Sequence, residues 1–108
     1  MKAAYITQTG PPDVIQYGDL PAPKPGPSDC LIKVAAVDVN PIDVYIRSGS
    51  VPARLSFPYI LGRDLAGTVV EVGPKVTRFK PGARVWATGQ GADGRQGTSA
   101  EFAVVDEQ

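Results

Sequence analysis

The stretch ATGQGADGRQGTS (residues 87–99) holds Gly89, Gly91 and Gly94 at Gly-x-Gly-x-x-Gly spacing. That pattern lets a loop bring backbone amides against a pyrophosphate. The chemistry needs a buried parallel strand leading in and a helix leading out, whose unpaired amides and positive end meet the phosphates. RVWAT (84–88) supplies a strand, but RQGTSAEFAVV (95–105) brings another glycine and then a β-branched alternation with no helical face. No βαβ unit can be drawn, and the sequence ends before the acidic residue expected about 20 positions on. The expected structure is a flexible loop between two antiparallel strands, not a cofactor site.

Other chemistry is bounded by what the chain lacks. It has no histidine and a single cysteine, Cys30. A Ser-His-Asp or Cys-His hydrolase is therefore excluded within it, and zinc would have to rest on carboxylates. Proton transfer falls to Tyr, Lys, Asp, Glu or water. Eleven basic residues balance eleven acidic ones, which gives no long-range field for nucleic acid or anionic lipid. One thiol rules out an internal disulfide and suggests a reducing compartment. MKAAYITQTGPPD (1–13) is too briefly apolar for a secretory signal or a membrane span. A cytoplasmic protein without membrane or nucleic-acid partners is expected, its 108 residues forming one domain.

The elements that would position a site are short and mostly β. KAAYIT (2–7), VIQYGDLP (14–21) and CLIKVAAVDV (30–39) read as strands, the third apolar enough to be largely buried. Between the second and third, PAPKPGP (21–27) reads as an extended surface connection. In NPIDVYIRSG (40–49), Asn40 suits a cap, Pro41 the first helical position and Gly49 a stop, with Ile42 and Ile46 on one face. Further strands are expected within 58–73, alternating around Leu65, Thr68, Val70 and Val72, and then within 80–89 and 99–107. About six strands and one short helix make a mainly β chain, an irregular β-barrel.

Three stretches, AAVDVNPIDVYIRSG, PYILGRDLAGTVVEVGPKVTRFKPGARVWA and SAEFAVV, resemble the N-terminal GroES-like domain of the medium-chain dehydrogenases/reductases. The nearest branch is the zinc-independent, zeta-crystallin-like quinone oxidoreductases, and the likeness covers nearly all of residues 1–108. It implies a substrate-side domain whose NADPH is bound mainly by a following Rossmann domain, so the 108 residues are expected to be part of a longer enzyme and inactive alone. Zinc members place a cysteine ligand where Asn40 stands and a His-Glu pair where Arg63 and Asp64 stand; their proton-relay serine and histidine fall at Ile42 and Tyr45. A guanidinium offers a metal no lone pair, and a carboxamide replaces a thiolate poorly. The structural-zinc cysteines expected after Trp86 are also missing. The resemblance thus implies no zinc and hydride transfer to a quinone or similar conjugated carbonyl.

By the same resemblance, Asn40 and Tyr45 are the candidate catalytic residues, and Asn40, Ile42, Tyr45, Arg63 and Asp64 line the cleft for substrate and cofactor. Each has a plainer reading. Asn40 serves as a helix cap, Tyr45 as a barrel-edge aromatic, and Arg63 and Asp64 pair with each other or with neighbours near the cleft floor, as a structural ion pair filling a vacated metal site. Asp43 is expected to order the helix, Arg47 to be solvated, and Cys30 to sit in the core. Gly62, Gly67, Gly73 and Gly82 are expected at positions of positive φ or close approach. Apolar surface near Tyr45, Phe57 and Tyr59 would be left exposed and support a homo-oligomer. Two rivals stand beside the quinone reductase. One is a non-enzymatic module of co-chaperonin type, for which the glycine loop lacks the apolar grip. The other is an enoyl thioester reductase, disfavoured because Val51 occupies the region where a catalytic tyrosine is expected.

Overall fold

In the computed structural model, which describes residues 1–51 and 53–107, the chain is divided between two antiparallel sheets. The first has the order β2-β1-β4, with β1 Lys2–Ile6, β2 Gln16–Asp19 and β4 Tyr59–Ile60. The second has the order β6-β5-β3-β7, with β3 Asp29–Val37, β5 Leu65–Val72, β6 Arg84–Ala87 and β7 Phe102–Asp106. One helix, α1 (Pro41–Ser48), follows β3 directly. The mainly β expectation holds.

Each sheet carries its own core. Cys30, Ile32, Leu65, Val69 and Ala103 pack together inside the second sheet, and Ile6, Ile46 and Tyr59 join the first sheet to α1. Cys30 is buried as expected, and burial raises its thiol pKa. β3 departs from expectation: Cys30 and Ile32 are buried, but Ala35, Ala36 and Val37 are exposed. A strand with one solvated face alternates, whatever its mean hydropathy. On β5 the inward residues are Leu65, Gly67 and Val69, while Val70 is exposed, which corrects the expected set of Leu65, Thr68, Val70 and Val72. Gly67 is the cause. A Cβ there would lie 2.3 Å from the Lys33 carbonyl oxygen, so the position that looks empty in the sequence is an inward one. β2 is shorter than expected because Pro12–Val14 form a 3-10 turn, closed by Val14 N–H to Pro11 O at 3.0 Å.

The helix forms where the sequence says it should. Asp43 accepts from the Asn40 N–H at 2.8 Å, Pro41 opens the first turn, and Gly49 ends it at φ 85°. That left-handed conformation suits glycine. Arg47 is not simply solvated. It is half-buried, with Nε donating to Gly10 O at 3.2 Å and its own carbonyl accepting from Gly10 N–H at 2.8 Å.

The glycine loop lies between β6 and β7, which sit at opposite edges of the second sheet. It therefore crosses the molecule, and its amides are spent on the way. Gln90 N–H donates to Arg63 O, Gly97 to Ile60 O, and Thr98 and Ser99 both to Leu61 O, at 2.8–3.0 Å. Gly94 reaches Arg54 O at 3.2 Å, and the Tyr59 hydroxyl donates to Gly91 O at 3.0 Å. Gly89, Gly91 and Gly94 all have positive φ, as does Asp93, so the spacing serves backbone turns. These amides, bonded to protein carbonyls, are not free to meet a pyrophosphate.

Two stability measurements check this seam. A Cβ on Gly97 would sit 2.4 Å from both the Gly62 and Ile60 carbonyl oxygens, whereas one on Gly82 meets nothing within 4 Å. In urea unfolding, Gly97→Ala should cost about 3 kcal/mol by overpacking, and Gly82→Ala about 1 kcal/mol through its positive φ alone; equal losses would contradict the packing. Tyr59 is 1% exposed, and burial raises its phenol pKa above 10.0. Tyr59→Phe should cost about 2 kcal/mol, because the buried Gly91 carbonyl loses its partner. The unfolded phenol ionises first as pH climbs past 10.0, so wild type should lose its margin over the variant above that pH and keep it below. A margin that grows in alkali would refute the assignment.

Candidate active site

The site is built where β3 ends and β5 begins. Val37 on β3 pairs with Leu65 on β5, and Leu65 pairs with Ala87 on β6. Asp64 is thereby placed beside the chain that runs from Val37 into the helix cap at Asn40. Gly62, at φ 102°, turns the backbone just before this point. Its Cα has no room for a side chain, since a Cβ would lie 2.6 Å from Thr98 Oγ1 and 2.9 Å from Ser99 Oγ.

Across this junction Asn40 Nδ2 donates to Asp64 Oδ2 at 2.8 Å. A carboxylate only accepts, so the nitrogen of the carboxamide must be the atom that faces it. Arg63 and Asp64 do not pair with each other. Among the described residues the ion pairs are Lys2 with Asp19 and Arg95 with Asp29. Of the two expected arrangements, pairing with each other gives way to a bond with a neighbour, Asn40–Asp64, because the backbone presents residues 63 and 64 to different partners. Arg63 Nε is buried without a hydrogen-bond partner, and the Arg63 charge acts on the Tyr59 phenol, lowering its pKa against the larger effect of burial, while Asp43 raises it. Arg63, Asp43 and Tyr59 thus occupy one neighbourhood beneath α1.

Of the five cleft residues named from the sequence, Asn40 and Asp64 touch directly, and Arg63 lies next in the chain. Ile42 is half-buried and packs with Ile6, Ile46 and Tyr59. It is a core contact more than a cleft wall. Tyr45 is 50% exposed on α1, and its hydroxyl has no hydrogen-bond partner among the described residues. Phe57 is 49% exposed, but the expectation of exposed surface at Tyr59 is overturned: its ring closes the smaller core. Tyr59 was overlooked as a site neighbour. Its only sequence signal was its place before Ile60 and Leu61, in a run of three large apolar side chains.

The donor chemistry around the site is oxygen and amide, with one cation. Among the described residues no three His, Cys, Asp or Glu side chains gather as a metal site. Asp64 also borders a shallow depression of about 270 Å³, shared with Val37, Asp38, Trp86 and Thr88. A second cavity, of about 330 Å³, is lined by Cys30, Ile32 and Val85 among others and includes none of the five residues. No described helix is long and apolar enough to cross a membrane.

Comparison with known proteins gives this geometry a family. Residues 26–108 match the alcohol dehydrogenase GroES-like domain. A quinone oxidoreductase from Lama guanicoe is 40% identical over 106 residues, 97% of this chain and 31% of that protein. The trans-enoyl reductase tndF from Aspergillus flavipes is 47% identical over 87 residues, 80% of this chain and 25% of that protein. Among solved structures, mycobacterial Rv1454c complexed with NADPH superposes with a TM-score of 0.83 at 38% identity, covering 98% of this chain and 31% of that one. A cobalt- and zinc-bound alcohol dehydrogenase from Pyrobaculum aerophilum has a TM-score of 0.87 at 31% identity, covering 98% of this chain and 39% of that one. The chain therefore spans between a quarter and two fifths of the length of these proteins. With the family match across the second sheet and quinone oxidoreductases aligned over nearly the whole chain, the protein belongs to the alcohol dehydrogenase GroES-like domain family, in the quinone oxidoreductase branch of the medium-chain dehydrogenases/reductases.

Proposed function

We propose that residues 1–108 form the substrate-side domain of an NAD(P)H-dependent reductase of quinones or similar conjugated carbonyls, working without zinc. The observation that carries this reading is the donor set. Asn40 and Arg63 stand where the zinc members are expected to carry metal ligands, and Asn40 is bonded to Asp64 at 2.8 Å. A guanidinium cannot ligate a metal at neutral pH.

The nicotinamide supplies the hydride. The part of the protein holding most of the cofactor would lie outside this chain, as the relatives' greater length suggests. Asn40 offers an amide donor to an acceptor oxygen. Tyr45 offers a phenol and an exposed ring face for stacking. Arg63 contributes positive charge near the developing oxyanion. A quinone spreads that charge over its ring, so placement and modest electrostatics replace a Lewis acid.

The test is steady-state reduction by the chain extended through a cofactor domain of the size found in its relatives, with NADPH and a series of quinones, before and after chelation. Turnover should survive chelation without bound zinc, fall about tenfold in kcat/KM for Asn40→Ala or Tyr45→Phe, and vanish for the 108-residue chain alone. Stoichiometric zinc that is required for turnover would overturn the reading. The likeness to a trans-enoyl reductase favours a second substrate class, conjugated thioesters. Val51, half-buried near the end of α1, argues against it, since enoyl reductases are expected to carry a tyrosine in that region. A preference for an enoyl thioester over every quinone in the same assay would select this alternative.

A further inference from the structure

We propose that Asp64 is a positioning residue for Asn40, locking its carboxamide so that the side chain meets the substrate as a hydrogen-bond donor to a carbonyl oxygen. The inference rests on the reductase reading and deepens it. It starts from a count of hydrogen-bonding groups. A carboxamide has one acceptor oxygen and two N–H donors. One N–H is held by Asp64 Oδ2 at 2.8 Å. The oxygen is turned away from Asp64, and the cap of α1 is closed through the Asn40 backbone, whose carbonyl accepts from Asp43 N–H at 2.9 Å and whose N–H donates to Asp43 at 2.8 Å. On the nitrogen that Asp64 holds, one N–H is left over. A quinone or conjugated ketone presents only acceptor oxygens, which is the matching chemistry.

Orientation is the point at issue, because a carboxamide can rotate by half a turn at little steric cost. Rotated, Asn40 would set its oxygen against the Asp64 carboxylate, a repulsive contact in place of an attractive one. The Asp64 charge therefore selects the rotamer. Asp64 itself has little freedom, since the β3–β5 and β5–β6 ladders hold Leu65 beside it and Gln90 N–H holds the Arg63 carbonyl at 2.9 Å. The Asn40 backbone is fixed independently through Asp43. Removing Asp64 should free the side chain without disturbing the cap.

Asn40 is the only asparagine in the chain, so selective ¹⁵N-asparagine labelling gives one backbone amide and one side-chain NH₂ pair. In wild type the two side-chain protons should be well separated, with the bonded one exchanging with water about tenfold more slowly than a free amide. In Asp64→Ala the pair should collapse to free-amide behaviour while the Asn40 backbone signal stays in place. Asp64→Asn, which keeps an acceptor oxygen without the charge, should fall between the two and serves if the alanine variant does not fold. An unchanged side-chain pair in either variant overturns the proposal. In the extended, cofactor-bearing protein, Asp64→Ala should lower kcat/KM about as much as Asn40→Ala, and the double variant no further. Additive losses would give Asp64 a separate, structural role and overturn it. Collapse of the NMR pair with undiminished turnover in all variants would instead remove Asn40 from the chemistry, and the reductase reading of this site with it.

Discussion

The seam between the glycine loop and residues 60–63 is the constraint on which the site depends. Ile60, Leu61 and Arg63 give their carbonyls to amides of the loop, Tyr59 gives its hydroxyl to Gly91, and Gly62 is left no space beyond its hydrogens. A segment held at this density cannot drift, because each buried amide or carbonyl left without a partner would cost about 1–3 kcal/mol. Arg63 and Asp64 leave this seam directly into β5. Their approach to α1 is therefore set by backbone bonding rather than by their own side chains.

That arrangement bears on chemistry through the cap of α1. Asn40 carries a structural duty and a chemical opportunity at once. Asp43 holds its backbone and Asp64 its side chain, and an amide held in one orientation is a better partner for a transition state than a mobile one, since its ordering cost is met during folding. Arg63 adds a cation with no ion-pair partner among the described residues, unlike Arg95, which closes on Asp29 at 3.3 Å. Tyr45 adds an accessible aromatic ring. These features are compatible with the quinone oxidoreductase branch to which the chain belongs.

Much of this was legible in residue order. Helix α1 was readable to its caps because Asn40, Pro41, Asp43 and Gly49 act through local backbone geometry. The glycine loop was readable as a connection between two strands of an antiparallel sheet, because no helical face follows it. Less was readable where partners lie far apart. Gly67 appears neutral in sequence yet is a buried position of β5, pressed against the Lys33 carbonyl across the sheet. Tyr59 looks like a surface aromatic beside Pro58, yet its ring seals a core made from β1 and α1.

The sequence by itself determined the mainly β class, the helix at the candidate site, the burial of Cys30, and a donor set without histidine that constrains any metal chemistry. These are properties of composition and of residues within a few positions of one another. Only the tertiary structure decided that Asp64 bonds Asn40, 24 positions away, rather than its neighbour Arg63, and that the glycines spend their loop's amides on residues 54–63. Arg63 lies in a bend just before β5, so the direction each of the two side chains takes is set by the backbone around them, and the strand pairing that joins distant residues is recorded in no local pattern.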